Sequence, residues 1–135
     1  MKYATLYARN VLEKYLIASL SSEVVMILGI CGKNFSIPIC LDICHFGMCF
    51  FAESLKKENF DELLSLAGHI HLADSVGIDG EGIQIGKGDY QNKYFLQKSF
   101  NSKLIKVIEV WQGHLNSYKG FHDAIKYSIN LMANE

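Results

Sequence analysis

The stretch His69-Ile70-His71-Leu72-Ala73-Asp74 gives the strongest fold signal in the chain, because it joins an apolar run to polar side chains at its end. Gly68, a typical helix-ending residue, precedes it, and a glycine-rich segment over 74–89 follows it. Short apolar runs bounded in this way are typical of strands buried in a sheet. We therefore predict a strand over 69–73 and a loop over 74–89.

The same pattern recurs on both sides of this strand. Asn59 and Glu62 match a helix capping box, which predicts a helix that Gly68 ends. Further strands are predicted over 3–8, 39–43 and 104–111, and helices over 22–32, 59–67, 91–100 and 118–132. Largely apolar strands that alternate with helices indicate a parallel sheet covered by helices.

The length of the repeat indicates a barrel. Four strand–helix units in 135 residues give a repeat of about 34 residues, close to one eighth of a barrel of roughly 250 residues. No linker-like or low-complexity tract divides the sequence. The predicted fold class is therefore α/β, with four βα units that form half of a (β/α)8 TIM barrel, and residues 1–135 are predicted to be a single partial domain.

Composition narrows the range of functions. The net charge is −1 and the pI is about 6.5, so no basic surplus points to nucleic acid. Polar residues interrupt the longest apolar runs before the roughly 20 residues that a membrane span needs. The first ten residues lack the apolar stretch of a signal peptide. We expect a cytoplasmic protein that does not cross a membrane.

The four cysteines do not follow a common metal or redox spacing. Cys31, Cys40, Cys44 and Cys49 contain no CxxC pair. Cys40 and Cys44 flank an apolar strand, and we interpret them as small buried hydrophobic residues.

Polar residues cluster where the predicted strands end. Asp42 and His45 lie at the end of one strand, His69 and His71 lie in the next, and Glu109 lies within the last. Ligands of α/β sheets bind at the carboxyl ends of the strands. A charge inside an apolar strand is costly unless it is paired or binds an ion. Two carboxylates and an imidazole would suit a divalent cation, whereas single acids would more often pair with Lys or Arg. Three such residues on successive strands favour a shared cation site over three separate ion pairs.

Two other histidines, His114 and His122, fall outside the predicted strand ends. We predict surface or packing roles for them.

The order and spacing of these residues resemble the xylose-isomerase-like barrel superfamily, which includes sugar epimerases and endonuclease IV. Leu41-Asp42-Ile43-Cys44-His45 resembles its D-x-x-H motif, and the 69–74 stretch resembles its H-x-H-L-x-D strand. Ile85-Gly86-Lys87-Gly88-Asp89 is similar to the turn that follows, and Val107-Ile108-Glu109 to the final strand. The resemblance covers nearly the whole chain, as the C-terminal half of the barrel.

The resemblance implies a function. Asp42, His71 and Glu109 would bind a divalent ion (Mn²⁺, Mg²⁺, Co²⁺ or Zn²⁺), and His45 would contact a sugar or sugar-phosphate substrate. The reaction would be an isomerisation or epimerisation through an enediolate, in which Glu109 is one of two proton-transferring glutamates.

One position departs from the family pattern. The second glutamate would align with Arg9, which cannot act as a general base. Arg9 would then contact substrate. Alternatively, the chain is a non-catalytic remnant or scaffold of the same fold. A third hypothesis, an endonuclease IV-like phosphodiesterase, is disfavoured by the neutral charge and by a missing histidine, since its Asp-x-His aligns with Asp79-Gly80-Glu81.

Half a barrel predicts a partner. Four parallel strands leave two open edges and an uncovered inner face. We expect either a companion chain that supplies the N-terminal half of the barrel or a homodimer.

Overall fold

A computed structural model describes residues 38–133 of the chain. The elements in this range are β1 (Ile39–Asp42), α1 (Ile43–Phe51), α2 (Lys57–Leu66), β2 (Ala67–Leu72), β3 (Asp74–Val76), β4 (Gly80–Ile83), α3 (Asn92–Asn101), β5 (Ile105–Ile108) and α4 (Leu115–Ala133). The strand predicted over 3–8 and the helix predicted over 22–32 lie outside the described residues.

The three predicted strands within this range pair into one parallel sheet. Their order is β1-β2-β5, and β2 lies in the centre. Strands β1 and β5 are shorter than predicted, β2 begins two residues earlier than predicted, and β5 ends at Ile108, directly before Glu109. The described residues therefore form a mixed α/β unit with a three-stranded parallel sheet and four helices. Closure into half of a barrel stays a prediction.

The first strand passes into a helix without a loop. The strand predicted over 39–43 ends at Asp42, because the side chain of Asp42 caps α1 and accepts a hydrogen bond from the His45 backbone N–H. Sequence reasoning missed α1, since its residues ICHFGMCFF are apolar almost throughout and show little helical periodicity. The buried side chains of α1 include Ile43, Phe46 and Met48.

The predicted caps of α2 were placed wrongly. The helix begins at Lys57, so Asn59 is its third residue, and the Asn59 side-chain oxygen accepts a hydrogen bond from the Lys56 N–H at 2.9 Å. Gly68 does not end the helix, because α2 ends at Leu66 and Gly68 lies inside β2. A Cβ atom on Gly68 would lie 2.7 Å from Pro38 Cβ, so this glycine allows a close approach of the chain.

The glycine-rich segment contains a hairpin where a loop was predicted. Strands β3 and β4 pair antiparallel, with Asp74 opposite Ile83 and Val76 opposite Gly80. Gly77 has a φ of +62°, a value that glycine adopts at little cost, and it lies in the turn between the two strands. The prediction failed because few β-branched residues mark these short strands.

The sheet has two chemically different faces. Ile39, Leu41, Ile70 and Leu72 are buried and belong to the hydrophobic core with the helices. Phe46 lies at the centre of this core, with ring centroids 5.1 Å from Phe60 and 4.8 Å from Phe95 in edge-on geometry. Such pairs stabilise the core by about 0.5–1.5 kcal/mol each beyond the area that they bury.

The opposite face carries the alternate residues of the strands: Cys40, Asp42, His69, His71, Ile105 and Val107. Ile105 is 72% exposed and Val107 is 40% exposed. Most of the polar candidate residues therefore share the face that points away from the aromatic core.

The last helix follows an unusual turn. Asn116, Ser117 and Tyr118 have φ values of 51°, 58° and 64°, so regular right-handed helix begins after them. This start agrees with the helix predicted over 118–132. No helix within residues 38–133 has both the length and the apolar character that crossing a membrane requires.

Candidate metal centre

Three of the predicted site residues converge at the carboxyl ends of the strands. Asp42 is the last residue of β1 and pairs in register with His71 of β2. Glu109 follows β5, and its backbone N–H donates to the Leu72 carbonyl oxygen at 2.9 Å, which extends the sheet by one hydrogen bond. One ligand atom from each of Asp42, His71 and Glu109 lies within 4.8 Å of the other two. We call these three residues the rim triad.

Within the rim triad, His71 and Glu109 are in direct contact. The His71 Nδ1 atom lies 2.7 Å from Glu109 Oε2. Both side chains are about one quarter exposed, at 21% and 27%. This contact fixes the imidazole ring and the carboxylate relative to each other, on a surface that solvent or a small ligand can reach.

Asp42 is oriented by His45. Its Oδ1 atom accepts the His45 backbone N–H at 3.1 Å, and its Oδ2 atom lies 2.9 Å from His45 Nδ1. Burial acts to raise the pKa of Asp42, but the hydrogen bonds and charge of His45, together with the charge of His71, hold that pKa below its usual value. Asp42 therefore pairs with a histidine, and not with the Lys or Arg of the alternative interpretation, among the described residues.

His45 lies between two acids. Its Nε2 atom is 3.5 Å from Glu81 Oε2 in β4, so the hairpin reaches the same rim. The imidazole is about one third exposed. It thus lies beside the rim triad, and the substrate contact predicted for it stays a prediction.

Asp74, another acid at a strand end, has a structural role. Its buried carboxylate accepts hydrogen bonds from the Gly86 N–H at 3.0 Å and from Asn92 Nδ2 at 2.8 Å. Asn92 also donates to the Ser75 hydroxyl at 2.9 Å. Sequence reasoning missed Asn92, and its position at the start of a helix gave no signal of this role.

The glycine-rich segment over 74–89 has backbone N–H groups of the kind that can bind a phosphate. The Gly77 N–H donates to Asp89 Oδ2 at 2.7 Å, and the Gly86 N–H donates to Asp74. Both backbone donors are therefore engaged by carboxylates of the same chain. The structure supports a rim loop that is held by its own acids.

The cysteines differ from each other. Cys44 is 3% exposed, and its sulfur accepts the Gly82 N–H at 3.2 Å, in agreement with the predicted small buried residue. Burial raises the pKa of the Cys44 thiol to about 12. The same prediction was wrong for Cys40, which is only half-buried and lies on the polar face of the sheet.

Cys40 belongs to a second group of possible ligands. One atom from each of Cys40, His69 and His71 lies within 4.8 Å of the other two. The His69 and His71 rings have centroids 5.2 Å apart. We call these residues the inner triad, and it shares His71 with the rim triad.

The remaining predicted residues lie elsewhere. Arg9, the predicted substrate contact, is outside the described residues. His114 and His122 are exposed near and within α4, which agrees with the surface roles predicted for them.

The rim triad fits a divalent cation. Ligand atoms around one ion lie about 3 Å apart, because metal–ligand distances are about 2.0–2.2 Å. The ligand atoms of the rim triad lie within 4.8 Å of one another, so they would move closer together around a bound ion. Two carboxylates with one imidazole suit Mn²⁺, Co²⁺ or Zn²⁺, and the partial exposure leaves room for water or substrate.

Comparison of the chain with protein-family models, with curated proteins and with solved structures finds no match. The function must therefore be argued from the site itself.

Proposed function

We propose that the chain binds a divalent metal ion through Asp42, His71 and Glu109, and that this centre serves a sugar or sugar-phosphate isomerase or epimerase. The observation that carries the proposal is the convergence of these three side chains within 4.8 Å at the ends of neighbouring parallel strands. Active sites of α/β sheets form at that edge. The resemblance of the motifs to the xylose-isomerase-like superfamily supplies the reaction class.

In this proposal Glu109 moves a proton. A bound divalent ion would polarise the carbonyl and hydroxyl oxygens of a sugar, which acidifies the hydrogen on the adjacent carbon. The Glu109 carboxylate would accept that proton and leave an enediolate. In an isomerisation Glu109 would return the proton to the neighbouring carbon, whereas in an epimerisation a second group on the opposite face of the sugar would supply a proton and Glu109 would keep the one it took. His71, 2.7 Å from Glu109, positions the carboxylate.

His45 and Asp42 support this chemistry in different ways. The two contacts from His45 to Asp42 fix the carboxylate toward the rim, as outer-shell partners of metal ligands do. The role of His45 in this proposal is to orient Asp42, because its Nδ1 atom contacts that carboxylate and its Nε2 atom is buried. In the proposed enzyme, the proton-transferring group on the other side of the substrate comes from the half of the barrel that completes the site.

Metal content tests the first step of the proposal. The chain, purified without a metal-binding tag and loaded with Mn²⁺, should retain about one ion by elemental analysis. Asp42→Ala and Glu109→Ala should lose it. Asp123→Asn, which removes an exposed acid of α4 that pairs with Lys119, is the matched control and should keep it. Equal Mn²⁺ content in all four proteins would refute the site.

Hydrogen exchange tests the reaction. The metal-loaded chain is incubated in D₂O with a panel of aldoses, ketoses and their phosphates, and NMR follows deuterium at the carbon next to the carbonyl. Incorporation that disappears in Glu109→Gln supports an isomerase or epimerase. Metal binding without any incorporation would favour the non-catalytic scaffold.

A further inference from the structure

We propose that the inner triad, formed by Cys40, His69 and His71, is a second metal site that selects Zn²⁺ or Co²⁺ over Mn²⁺ and competes with the rim triad for His71. This site goes beyond the proposed function, in which neither Cys40 nor His69 has a role. It follows from the pairing of β1 and β2, from the chemistry of the donor atoms and from the shared histidine.

The register of the sheet places the three residues together. Cys40 pairs with His69 across parallel strands, so both side chains leave the same face of the sheet. His71 is two residues further along β2 and returns to that face. The sulfur and the two imidazole nitrogens consequently lie within 4.8 Å of one another. All three residues lie in paired strands, which limits how far their ligand atoms can move apart.

The donor set is softer than that of the rim triad. A thiolate and imidazoles favour Zn²⁺ and Co²⁺, whereas carboxylates also suit Mn²⁺ and Mg²⁺. Three protein ligands with an open fourth position are the usual arrangement of a zinc ion that binds water or substrate. Partial exposure of Cys40, His69 and His71 leaves that fourth position accessible.

Sharing of His71 makes the two sites exclusive. A neutral imidazole has one nitrogen lone pair for a metal, because its other nitrogen carries a proton. His71 therefore binds one ion at a time, either toward Glu109 or toward Cys40. Which triad is occupied depends on the metal that is supplied, and the stoichiometry stays at one ion per chain.

Cobalt spectroscopy tests the inner triad. The full chain is titrated with Co²⁺, and thiolate-to-cobalt charge transfer is measured in the near ultraviolet. We expect this band in the wild type, its loss in Cys40→Ser and its weakening in His69→Asn. Cys49→Ser removes a half-buried cysteine of α1 and should leave the band unchanged. A band that persists in Cys40→Ser, or a wild type without one, would overturn the proposal.

Affinity measurements separate this proposal from the proposed function. Cys40→Ser should weaken Zn²⁺ binding by about tenfold or more while Mn²⁺ binding changes little, since a ligand is lost from one site only. Glu109→Gln should weaken Mn²⁺ binding and change Zn²⁺ binding little. Circular dichroism and thermal unfolding verify that each variant is folded. Binding of two Zn²⁺ ions per chain at once, or equal effects of Cys40→Ser on both metals, would contradict exclusive use of His71.

Discussion

The imidazole of His71 and the carboxylate of Glu109 lie 2.7 Å apart, although they come from β2 and from the end of β5. Parallel pairing of the two strands brings them together, since Leu72 and Ile108 are partners in register. His71 and Glu109 are far apart in the sequence, so their contact depends on how β2 pairs with β5 and not on the local sequence pattern.

Shortening Glu109 should separate metal binding from proton transfer. Glu109→Asp keeps a carboxylate but moves it back by one methylene, about 1 Å or more, and displacements of this size can cost about a hundredfold in rate. We expect deuterium incorporation to fall by about that factor while Mn²⁺ is still bound. Isothermal titration and NMR exchange on the same preparation measure both quantities. Loss of exchange only in proportion to lost Mn²⁺ would assign Glu109 to metal binding alone.

Substitutions of Asp42 should distinguish its two roles. Asp42→Asn keeps an oxygen that can cap α1, and should unfold at nearly the same urea concentration as the wild type. Asp42→Ala removes the cap and should lose about 0.5–2 kcal/mol of stability. Both variants should lose Mn²⁺. If Asp42→Asn were as unstable as Asp42→Ala, the capping role would be wrong.

Removal of the Asn92 amide should destabilise the hairpin. Asn92→Ala removes one of the donors to the buried Asp74 carboxylate and the amide donor to the Ser75 hydroxyl, which should cost about 1–3 kcal/mol. Urea unfolding measures the change. Gln91→Ala alters the exposed neighbouring residue and serves as the control, with an expected change within about 0.5 kcal/mol. Similar midpoints for the two variants would refute the anchoring role of Asn92.

The half-barrel hypothesis predicts self-association when no companion half is present. Ile105 is 72% exposed on the face that carries the two triads. Light scattering after size exclusion should give a mass above one chain, and Ile105→Lys should lower it. Ile129→Lys, at a 56% exposed position of α4, is the matched control and should leave the mass unchanged. A wild-type monomer would count against a half barrel that closes on itself.

Sequence pattern predicted the elements with strong local signals. Strands 39–43, 69–73 and 104–111 and the helices near 59–67 and 91–100 are all present with shifted ends. Helix α1 was missed because it is apolar almost all round and lacks the periodicity that marks an amphipathic surface helix. The β3–β4 hairpin was missed because glycine is abundant both in loops and in short strands at turns.

The rim triad was predicted because its residues interrupt apolar strands, where a charge is costly unless it is paired or binds an ion. The inner triad was missed because a cysteine in an apolar run reads as a small core residue. Only the register of β1 against β2 shows that Cys40 faces His69 and not Phe46. Register depends on pairing between distant segments, so local pattern does not determine it.

The central strand β2 packs against the hydrophobic core with one face and carries the candidate ligands on the other. Ile70 and Leu72 are at most 1% exposed, whereas His69 and His71 point to the opposite side. Substitutions over 69–72 should therefore alternate in effect: polar changes at Ile70 and Leu72 would destabilise the fold, whereas changes at His69 and His71 would leave it folded and, in the proposed function, weaken metal binding. The strand thus offers positions at which ligand chemistry can be exchanged for another, by selection or by design, while the core stays as it is.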